Sequence, residues 1–582
     1  MRPVLLRTLL YGFALALGLR LWLNWTSPSR PLLSSALFLC LVFLLQYFRD
    51  VHVYNHARSQ QGVGQIPPTY PMPVPFLSSS VAILYDMHGF WRRVTLYKGQ
   101  LTSTKITVLG FSVYLFQDRE TVARLMKHPR IASPMSRFIY ALEYLFGMPR
   151  TALSLYVADN SGPFVKPYPE TTVAPSDRIN HITHQKWHRA WNGASLELTT
   201  RQFRVTLRRG IHELGVADGD GTQVEDFFKL FGGLVSAAMI EAVYGGLLLQ
   251  LNPDFVRDLW TFDEALPSLA RGVPSFLIPS AHKVRESLRS QIRTWYKVFR
   301  REQVSLGGDS KIRDWPSELV TELHELLSNR ECFDDNALSA HDLSHIWAIS
   351  SNSISSAMLC LYHLARDPSL TRRVREEIAA HFHPDRSLLD LDMAHLSKLP
   401  LLSSVYAEVL RLYIEASVVV TPPIADAELG RWRLPKDDVA MVNPSISHRD
   451  VSFWNTKDGL HPVDTFWAER FLVDPQDPSS GPIRPDIRAQ VLKEESNNPG
   501  DKPFFSMDGL DGIWIPYGGG SSMCPGRLVA KSLIMSTCAM IVDAFDCEIP
   551  NHSLVLDPKR FGFGMARPKF PISMRIKRRV ST

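Results

Sequence analysis

A single cysteine near the C-terminus stands in a setting suited to metal binding. Cys524 follows three consecutive glycines, Gly518 to Gly520, and precedes Pro525 in IPYGGGSSMCPGRLVA. Glycines let a backbone lie close against a flat partner, and Pro525 fits the first position of a helix. The free N–H groups of a first helical turn favour the thiolate form of a nearby sulfur, which is the form that binds metals. The segment therefore predicts a thiolate ligand, with a buried structural cysteine as the alternative.

The residues around this cysteine resemble the proximal signature of the cytochrome P450 family of haem-thiolate monooxygenases. Four residues occupy the places of its aromatic residue, its two glycines and its cysteine: Tyr517, Gly520, Gly526 and Cys524. Tyr stands where Phe is usual, and Ser522 stands where a propionate-binding Arg or His is common. The resemblance implies a haem whose iron is bound axially by the Cys524 thiolate, a ligand that favours O–O cleavage.

A carboxylate and a guanidinium stand three residues apart in SSVYAEVLRLYIEA. Glu408 and Arg411 would share one face of a helix, although such a pair is more often solvated. In the family this pair is buried with a second arginine and supports the haem-binding loop. The resemblance assigns that role to Arg470 in PVDTFWAERF, where Ala468 replaces the family's Pro. It implies that Glu408, Arg411 and Arg470 are scaffold rather than catalytic residues.

A run of small residues, IWAISSNSISSAM, resembles the family's long helix above the iron. There an acid followed by threonine helps to deliver protons to dioxygen, and Asn352 and Ser353 occupy those two places. The Ser353 hydroxyl can donate a hydrogen bond, whereas Asn352 cannot relay a proton as a carboxyl group does. The resemblance implies that both are catalytic. The alternative is a run of small residues that permits close helix packing.

The segment HITHQKWHRAW occupies the place of the family's propionate-binding helix. Because Trp191 replaces the expected arginine, Lys186 or Arg189 is expected to contact the haem. Three histidines share one face of this helix without an accompanying carboxylate or cysteine, which favours a solvated or haem-edge face over a zinc site. They are His181, His184 and His188.

Residues 1–60 are expected to form a membrane anchor. Residues 31–48 carry no charge and, as a helix of about 27 Å, are long enough to cross a bilayer. Residues 4–24 hold a possible first segment. A cleaved signal peptide is the alternative, which the second apolar run disfavours. Basic residues after the span favour a cytosolic body, and the expected location is the endoplasmic reticulum membrane.

Residues 61–582 predict one large, mainly α-helical domain with small β-sheets. A Pro-rich connector at 66–75 leads into helical spacing from about 85 to 415. Short β-branched pieces between 416 and 450 indicate a small sheet, and the Pro, Asp and Ser content of about 473–512 indicates a surface insertion. The apolar stretch at 266–282 is broken by Pro267, Pro274 and Pro279 and is expected to be a membrane-dipping entrance loop, with an ordinary buried connector as the alternative. These motifs appear in the order of the P450 fold.

Composition excludes several other classes of protein. The net charge of +6 (64 basic and 58 acidic side chains) is spread along the chain, so nucleic acid is not an expected partner. The six cysteines form no CxxC pair, which argues against a disulfide framework or a thiolate zinc site. No flavin or nicotinamide motif is present in the sequence.

The resemblance implies an oxidoreductase that hydroxylates or otherwise oxidises an apolar small molecule of sterol, terpenoid or polyketide type. Dioxygen and electrons from an NADPH-dependent reductase would be required. The pair Asn352 and Ser353, with Cys-Pro-Gly-Arg, is most similar to the branch holding sterol 7α- and 12α-hydroxylases and prostacyclin synthase. One alternative is therefore an isomerase or dehydratase of the same fold that rearranges an oxygenated substrate without a reductase. Others are a haem- or steroid-binding membrane protein without turnover, and a non-haem membrane protein.

Overall fold

The computed structural model describes residues 30–60, 62–74, 77–108, 110–216, 221–305, 316–381, 388–492, 500–550 and 553–579. Its helices are α1 (Arg30–Ser59), α2 (Leu77–Val94), α3 (Arg119–Lys127), α4 (Met135–Tyr140), α5 (Arg150–Ala158), α6 (Ile179–Ala190), α7 (Gly193–Glu213), α8 (Phe227–Tyr244), α9 (Leu247–Leu251), α10 (Phe255–Ala270), α11 (Pro279–Ser305), α12 (Glu318–Ser328), α13 (Asp335–Arg366), α14 (Pro368–His381), α15 (Met393–Leu396), α16 (Pro400–Tyr413), α17 (Pro444–Ser447), α18 (Pro485–Val491) and α19 (Arg527–Ala544).

The strands are short. They are β1 (Leu96–Tyr97), β2 (Gln100–Leu101), β3 (Thr104–Val108), β4 (Phe111–Leu115), β5 (Thr222–Val224), β6 (Val418–Val420), β7 (Ala427–Leu429), β8 (Trp432–Leu434), β9 (Val439–Val442), β10 (Leu472–Val473), β11 (Phe504–Phe505), β12 (Phe545–Glu548) and β13 (Met574–Arg578). The predicted class, mainly α with small β-sheets, is confirmed.

One compact unit comprises the described residues from Arg30 to Arg130 together with Val419–Val442. Its sheet has the order β3-β4-β9-β6, with β3 and β4 antiparallel and β4 and β9 parallel. Strands β7 and β8 form an antiparallel pair within the turn-rich sequence between 416 and 450, where a small sheet is expected. Within the Pro-rich connector, Thr69 forms a β-bridge with Lys105, and the Tyr70 N–H donates to the Lys105 carbonyl at 2.7 Å.

The second unit comprises Ile131–Val418 and Asn443–Thr582. Helix α13 lies at its core: most of its residues are buried, including Ser350, Ser351 and Ser353. Asp334 caps the helix by accepting a hydrogen bond from the Ala337 N–H. A three-stranded antiparallel sheet, β12-β13-β5, and the pair β10-β11 complete the unit.

The N-terminal helix α1 contains the predicted span, residues 31–48. Its segment Leu37–Ser59 is long and apolar enough to cross a membrane and is only 6% buried. Helix α8 has comparable length and composition, but 56% of it is buried, as in the core helix of a soluble protein. The α1 helix is therefore the candidate anchor. The possible first segment at 4–24 lies outside the described residues.

Two segments are more ordered than their composition predicts. In the predicted insertion at 473–512, helix α18 and strand β11 form, and Ile483 and Leu510 are buried in the core. Its residues 493–499 lie outside the described part of the chain. The Pro-interrupted stretch at 266–282 contains the end of α10 and the start of α11, and between them Phe276 and Leu277 are exposed to 78% and 63%.

Candidate functional site

The cysteine loop has the close backbone geometry that its glycines predict. The Cys524 N–H donates to the Tyr517 carbonyl at 2.9 Å, which closes the loop. Gly518 has φ +70°, and a Cβ there would lie 3.1 Å from the Ser522 carbonyl oxygen. Both observations explain why a side chain is excluded at this turn.

Cys524 is a free, half-buried thiol. Burial raises its pKa, while the Gly526 N–H and the charge of Arg527 act in the opposite direction. Helix α19 is capped by Gly526 and begins at Arg527, so Pro525 precedes the cap instead of occupying the first helical position. The Gly526 N–H and the positive charge of Arg527 favour the thiolate, although burial outweighs them and the pKa of Cys524 stays raised.

Tyr517, which stands where the family usually has Phe, uses its hydroxyl. It forms a 2.8 Å hydrogen bond with the hydroxyl of Tyr406 on α16. Both phenols are buried, and burial raises the pKa of each. The Trp514 Nε1–H also donates to the Ala407 carbonyl at 3.3 Å. The segment before Cys524 is thus bonded to two consecutive residues of α16, Tyr406 and Ala407.

The predicted scaffold triad is present. Glu408, Arg411 and Arg470 have fully buried side chains. Arg411 donates to both oxygens of Glu408, at 2.6 and 2.8 Å. Arg470 donates to Glu408 Oε1 at 3.0 Å, and the Trp467 N–H reaches the same oxygen at 3.2 Å. This dense hydrogen bonding is what a buried ion pair requires.

His448 connects the triad to the cysteine loop. Arg411 Nη1 donates to the His448 carbonyl at 2.6 Å, and the His448 Nδ1 lies 3.0 Å from the Arg411 carbonyl. The Ile515 N–H donates to His448 Nε2 at 3.1 Å. Burial, and then the charge of Arg411, hold the pKa of His448 well below its ordinary value. A continuous set of hydrogen bonds therefore runs from Glu408 to the chain before Cys524.

Asn352 and Ser353 on α13 each form a hydrogen bond with a backbone group. Ser353 Oγ donates to the Ile349 carbonyl at 2.7 Å. Asn352 Oδ1 accepts the Met565 N–H at 3.0 Å, which joins the C-terminal segment to α13. Ser350 Oγ is buried without a hydrogen-bond partner among the described residues. Within those residues, no hydrogen bond joins Asn352 or Ser353 to the cysteine loop.

The two basic residues proposed for the propionates lie on α6. Lys186 forms a 2.7 Å ion pair with Glu322 of α12. Arg189 is exposed, and with Lys186 it lines a cavity of about 260 Å³. Burial, and then the charge of Arg527, lowers the pKa of His188 on the same helix. The haem contacts of Lys186 and Arg189 remain predictions.

The three histidines of α6 do not share one partner. His184 Nε2 lies 3.0 Å from His188 Nε2, whereas His181 Nδ1 lies 2.8 Å from the Pro163 carbonyl. Burial, and then the neighbouring histidines, lower the pKa of His184 to about 4. The part of the chain that the structure describes contains no group of three potential metal ligands.

These residues fit a haem. The donor is one free thiol flanked by an N–H donor and a cation, and it lies on a loop in which Gly518 and Gly520 have positive φ. The loop is braced by Tyr406 and His448, whose roles the sequence reasoning missed. The spacing of residues in the sequence does not reveal either role, because Tyr406 and Tyr517 are 111 residues apart and His448 and Ile515 are 67 residues apart.

Comparison with known proteins supports this geometry. The sequence profile described as Cytochrome P450 matches residues 258–574. The chain is 30% identical to "Cytochrome P450 monooxygenase efuG" of Hormonema carpetanum, over 91% of this chain and 93% of the relative. It is also 30% identical to "Cytochrome P450 monooxygenase fsoE" of Humicola fuscoatra, over 90% of each chain. "Cholesterol 7-alpha-monooxygenase" of Cricetulus griseus is 26% identical over 54% of this chain and 57% of its own.

Solved structures agree on the fold. The chain superposes on a cytochrome P450, CYP102L1, with a TM-score of 0.59 and 16% identity, covering 89% of this chain and all of the other (100%). The retinoic acid bound cyanobacterial CYP120A1 gives a TM-score of 0.57 and 17% identity over the same shares. The cysteine loop, the buried triad and these matches together show that the chain belongs to the cytochrome P450 family and is an oxidoreductase of its monooxygenase class.

Proposed function

We propose that this enzyme is anchored by α1 in the endoplasmic reticulum membrane, with its catalytic domain in the cytosol. There it oxidises an apolar small molecule of sterol, terpenoid or polyketide type, using dioxygen and electrons from a separate NADPH-dependent reductase. The observation that carries the proposal is the free Cys524 thiol on its braced glycine loop. A haem bound by Cys524 would supply the activation of dioxygen.

The chain's own residues have distinct parts in this proposal. The Gly526 N–H and Arg527 favour the thiolate of Cys524. Tyr517, Gly520 and Gly526 shape the loop around that sulfur. Lys186 and Arg189 are the proposed propionate contacts. The buried triad supports the loop and takes no part in the chemistry.

Ser353 and Asn352 are the proposed proton-handling pair. The Ser353 hydroxyl donates to Ile349 and keeps lone pairs that can accept a hydrogen bond. The Asn352 carboxamide uses its oxygen for Met565, which leaves its NH₂ group as a donor. An amide cannot exchange a proton at neutral pH as a carboxylate does, so Ser353 is the residue of this pair that would pass a proton.

The first experiment is the reduced carbon-monoxide difference spectrum of the full-length protein. We expect a thiolate-type band in the parent and in Cys332→Ser, a control at another free cysteine, and loss of that band in Cys524→Ser. Well-folded parent protein without a haem signal would refute the proposed site and make Cys524 a structural residue.

A second experiment separates oxygenation from rearrangement of an oxygenated substrate. In a monooxygenase, Ser353→Ala should lower the yield of product per electron consumed, while Ser356→Ala, which removes a similar hydroxyl one turn away, should not. A rearrangement enzyme needs no reductase and should be nearly insensitive to Ser353→Ala. Product formation without any reductase would contradict the proposed monooxygenase reaction.

A further inference from the structure

A buried cluster between α10, α13 and the C-terminal segment carries more positive than negative charge. Asp263 of α10 lies 2.7 Å from Arg560 and 2.7 Å from Arg567. The Trp347 Nε1–H, at 2.6 Å, and the Ser351 hydroxyl, at 2.5 Å, also donate to Asp263. The three charged side chains are exposed by only 2%, 5% and 11%.

The charges of this cluster do not balance. One carboxylate faces two guanidinium groups, which leaves one positive charge inside the protein. Besides Asp263, the carboxylate of Glu264, which is exposed, also raises the pKa of Arg567. Burial lowers the pKa of Arg567 to about 9, although Asp263 acts in the opposite direction. A buried cation without its own anion is costly, so a second anion would be bound favourably.

One donor in the cluster is available to such an anion. Arg560 uses Nε for the Met565 carbonyl at 3.0 Å and Nη1 for Asp263. Its Nη2 donates no hydrogen bond to any side chain or carbonyl in the described ranges. Arg567, by contrast, uses all three nitrogens, on Ser355, Ser351 and Asp263. Arg560 is therefore the member that can take a new partner.

The cluster is continuous with the proposed proton-handling pair. Ser351, which donates to Asp263, precedes Asn352 and Ser353 on α13. The Met565 N–H that donates to Asn352 belongs to the same short segment as Arg560 and Arg567. Close packing fixes this segment, since a Cβ at Gly564 would lie 2.3 Å from Asn352 Oδ1.

From this arrangement we infer that the substrate is an apolar molecule carrying a carboxylate, which Arg560 binds while Asp263 and Arg567 hold its guanidinium in place. The inference rests on the proposed function, because it assigns the substrate class of that same site. The carboxylate would fix the orientation of an otherwise apolar molecule beside Asn352 and Ser353. A bound anion would also neutralise the excess charge of the cluster.

The test uses the haem-loaded full chain and three probes with one carbon skeleton: a steroid acid, its methyl ester and the corresponding alcohol. Dissociation constants are measured by equilibrium dialysis at neutral pH. A hydrogen bond to a charged group predicts that the parent binds the acid about ten- to a hundredfold more tightly than either neutral probe. Equal affinities for acid and ester in the parent would overturn the inference without any variant.

Two variants locate the effect. Arg560→Gln should lose the preference for the acid, whereas Lys569→Gln, which removes an exposed charge from the same segment, should keep it. If Arg560→Gln still binds the acid more tightly than the neutral probes, the assignment of Arg560 as the carboxylate-binding residue is overturned. Each variant is also checked for the thiolate-type carbon-monoxide band. A parent that shows this band but has no preference for the acid would overturn the substrate class and leave the proposed function standing.

Discussion

Glu408→Gln tests whether the buried triad stabilises the domain through charge. Glu408 forms ion pairs with both Arg411 and Arg470, and all three side chains are inaccessible to solvent. The substitution keeps the shape of the side chain but removes its charge and turns an NH₂ group toward arginine donors. Removing one partner of a buried pair costs about 3–5 kcal/mol. Since folded domains are stable by about 5–15 kcal/mol, the loss is a large share of the total.

The measurement is the free energy of unfolding in urea, followed by circular dichroism, together with haem retention from the carbon-monoxide band. Glu469→Gln is the matched control: it pairs with Arg373 at the surface, where a loss of at most about 1 kcal/mol is expected. We expect Glu408→Gln to lower the urea midpoint far more than the control and to reduce haem retention. A change of less than about 1 kcal/mol in Glu408→Gln would refute the reasoning from buried charge.

Three further predictions concern a buried hydrogen bond, a buried carboxyl group and two exposed apolar side chains. Tyr517→Phe leaves the Tyr406 hydroxyl buried without a partner and should lower the free energy of unfolding by about 1–3 kcal/mol, while adding Tyr406→Phe should recover part of that loss. Burial raises the pKa of Glu415 from 4.5 to about 7, so the folded protein loses stability as the pH rises from 4.5 to 7. Glu415→Gln should remove this loss, a gain of up to about 3 kcal/mol above pH 7 in urea titrations at several pH values, and a gain independent of pH would contradict it. The exposed side chains of Phe276 and Leu277 lie in the stretch expected to be a membrane entrance, so the double variant Phe276→Ser and Leu277→Ser should slow uptake of an apolar ligand from phospholipid vesicles without changing its affinity in detergent. An unchanged rate of uptake would contradict the entrance role.

Local spacing was enough to predict the parts of the site that lie close together in sequence. The glycines and Cys524 form one turn, and Glu408 and Arg411 lie one helical turn apart, so their geometry follows from the backbone. The helical and β-rich regions followed from hydrophobic periodicity and turn residues for the same reason.

Contacts between distant segments could not be read in this way. Arg560 and Asp263 are 297 residues apart, and Lys186 pairs with Glu322, 136 residues away. No local pattern links such positions, because tertiary packing alone brings them together. Lys186 illustrates this difference: its position on a helix follows from the sequence, but its ion pair with Glu322 does not.

The buried His448 makes the stability of the scaffold around the cysteine loop sensitive to acid. Its ring must act as a donor at Nδ1 and an acceptor at Nε2, so only one neutral tautomer satisfies both neighbours. An added proton would place two N–H groups against each other, at Nε2 and at Ile515. Because the unfolded chain takes up this proton below about pH 6.5 and the folded protein resists it, acidification favours unfolding. Mild acid would therefore destabilise the fold that supports the cysteine loop.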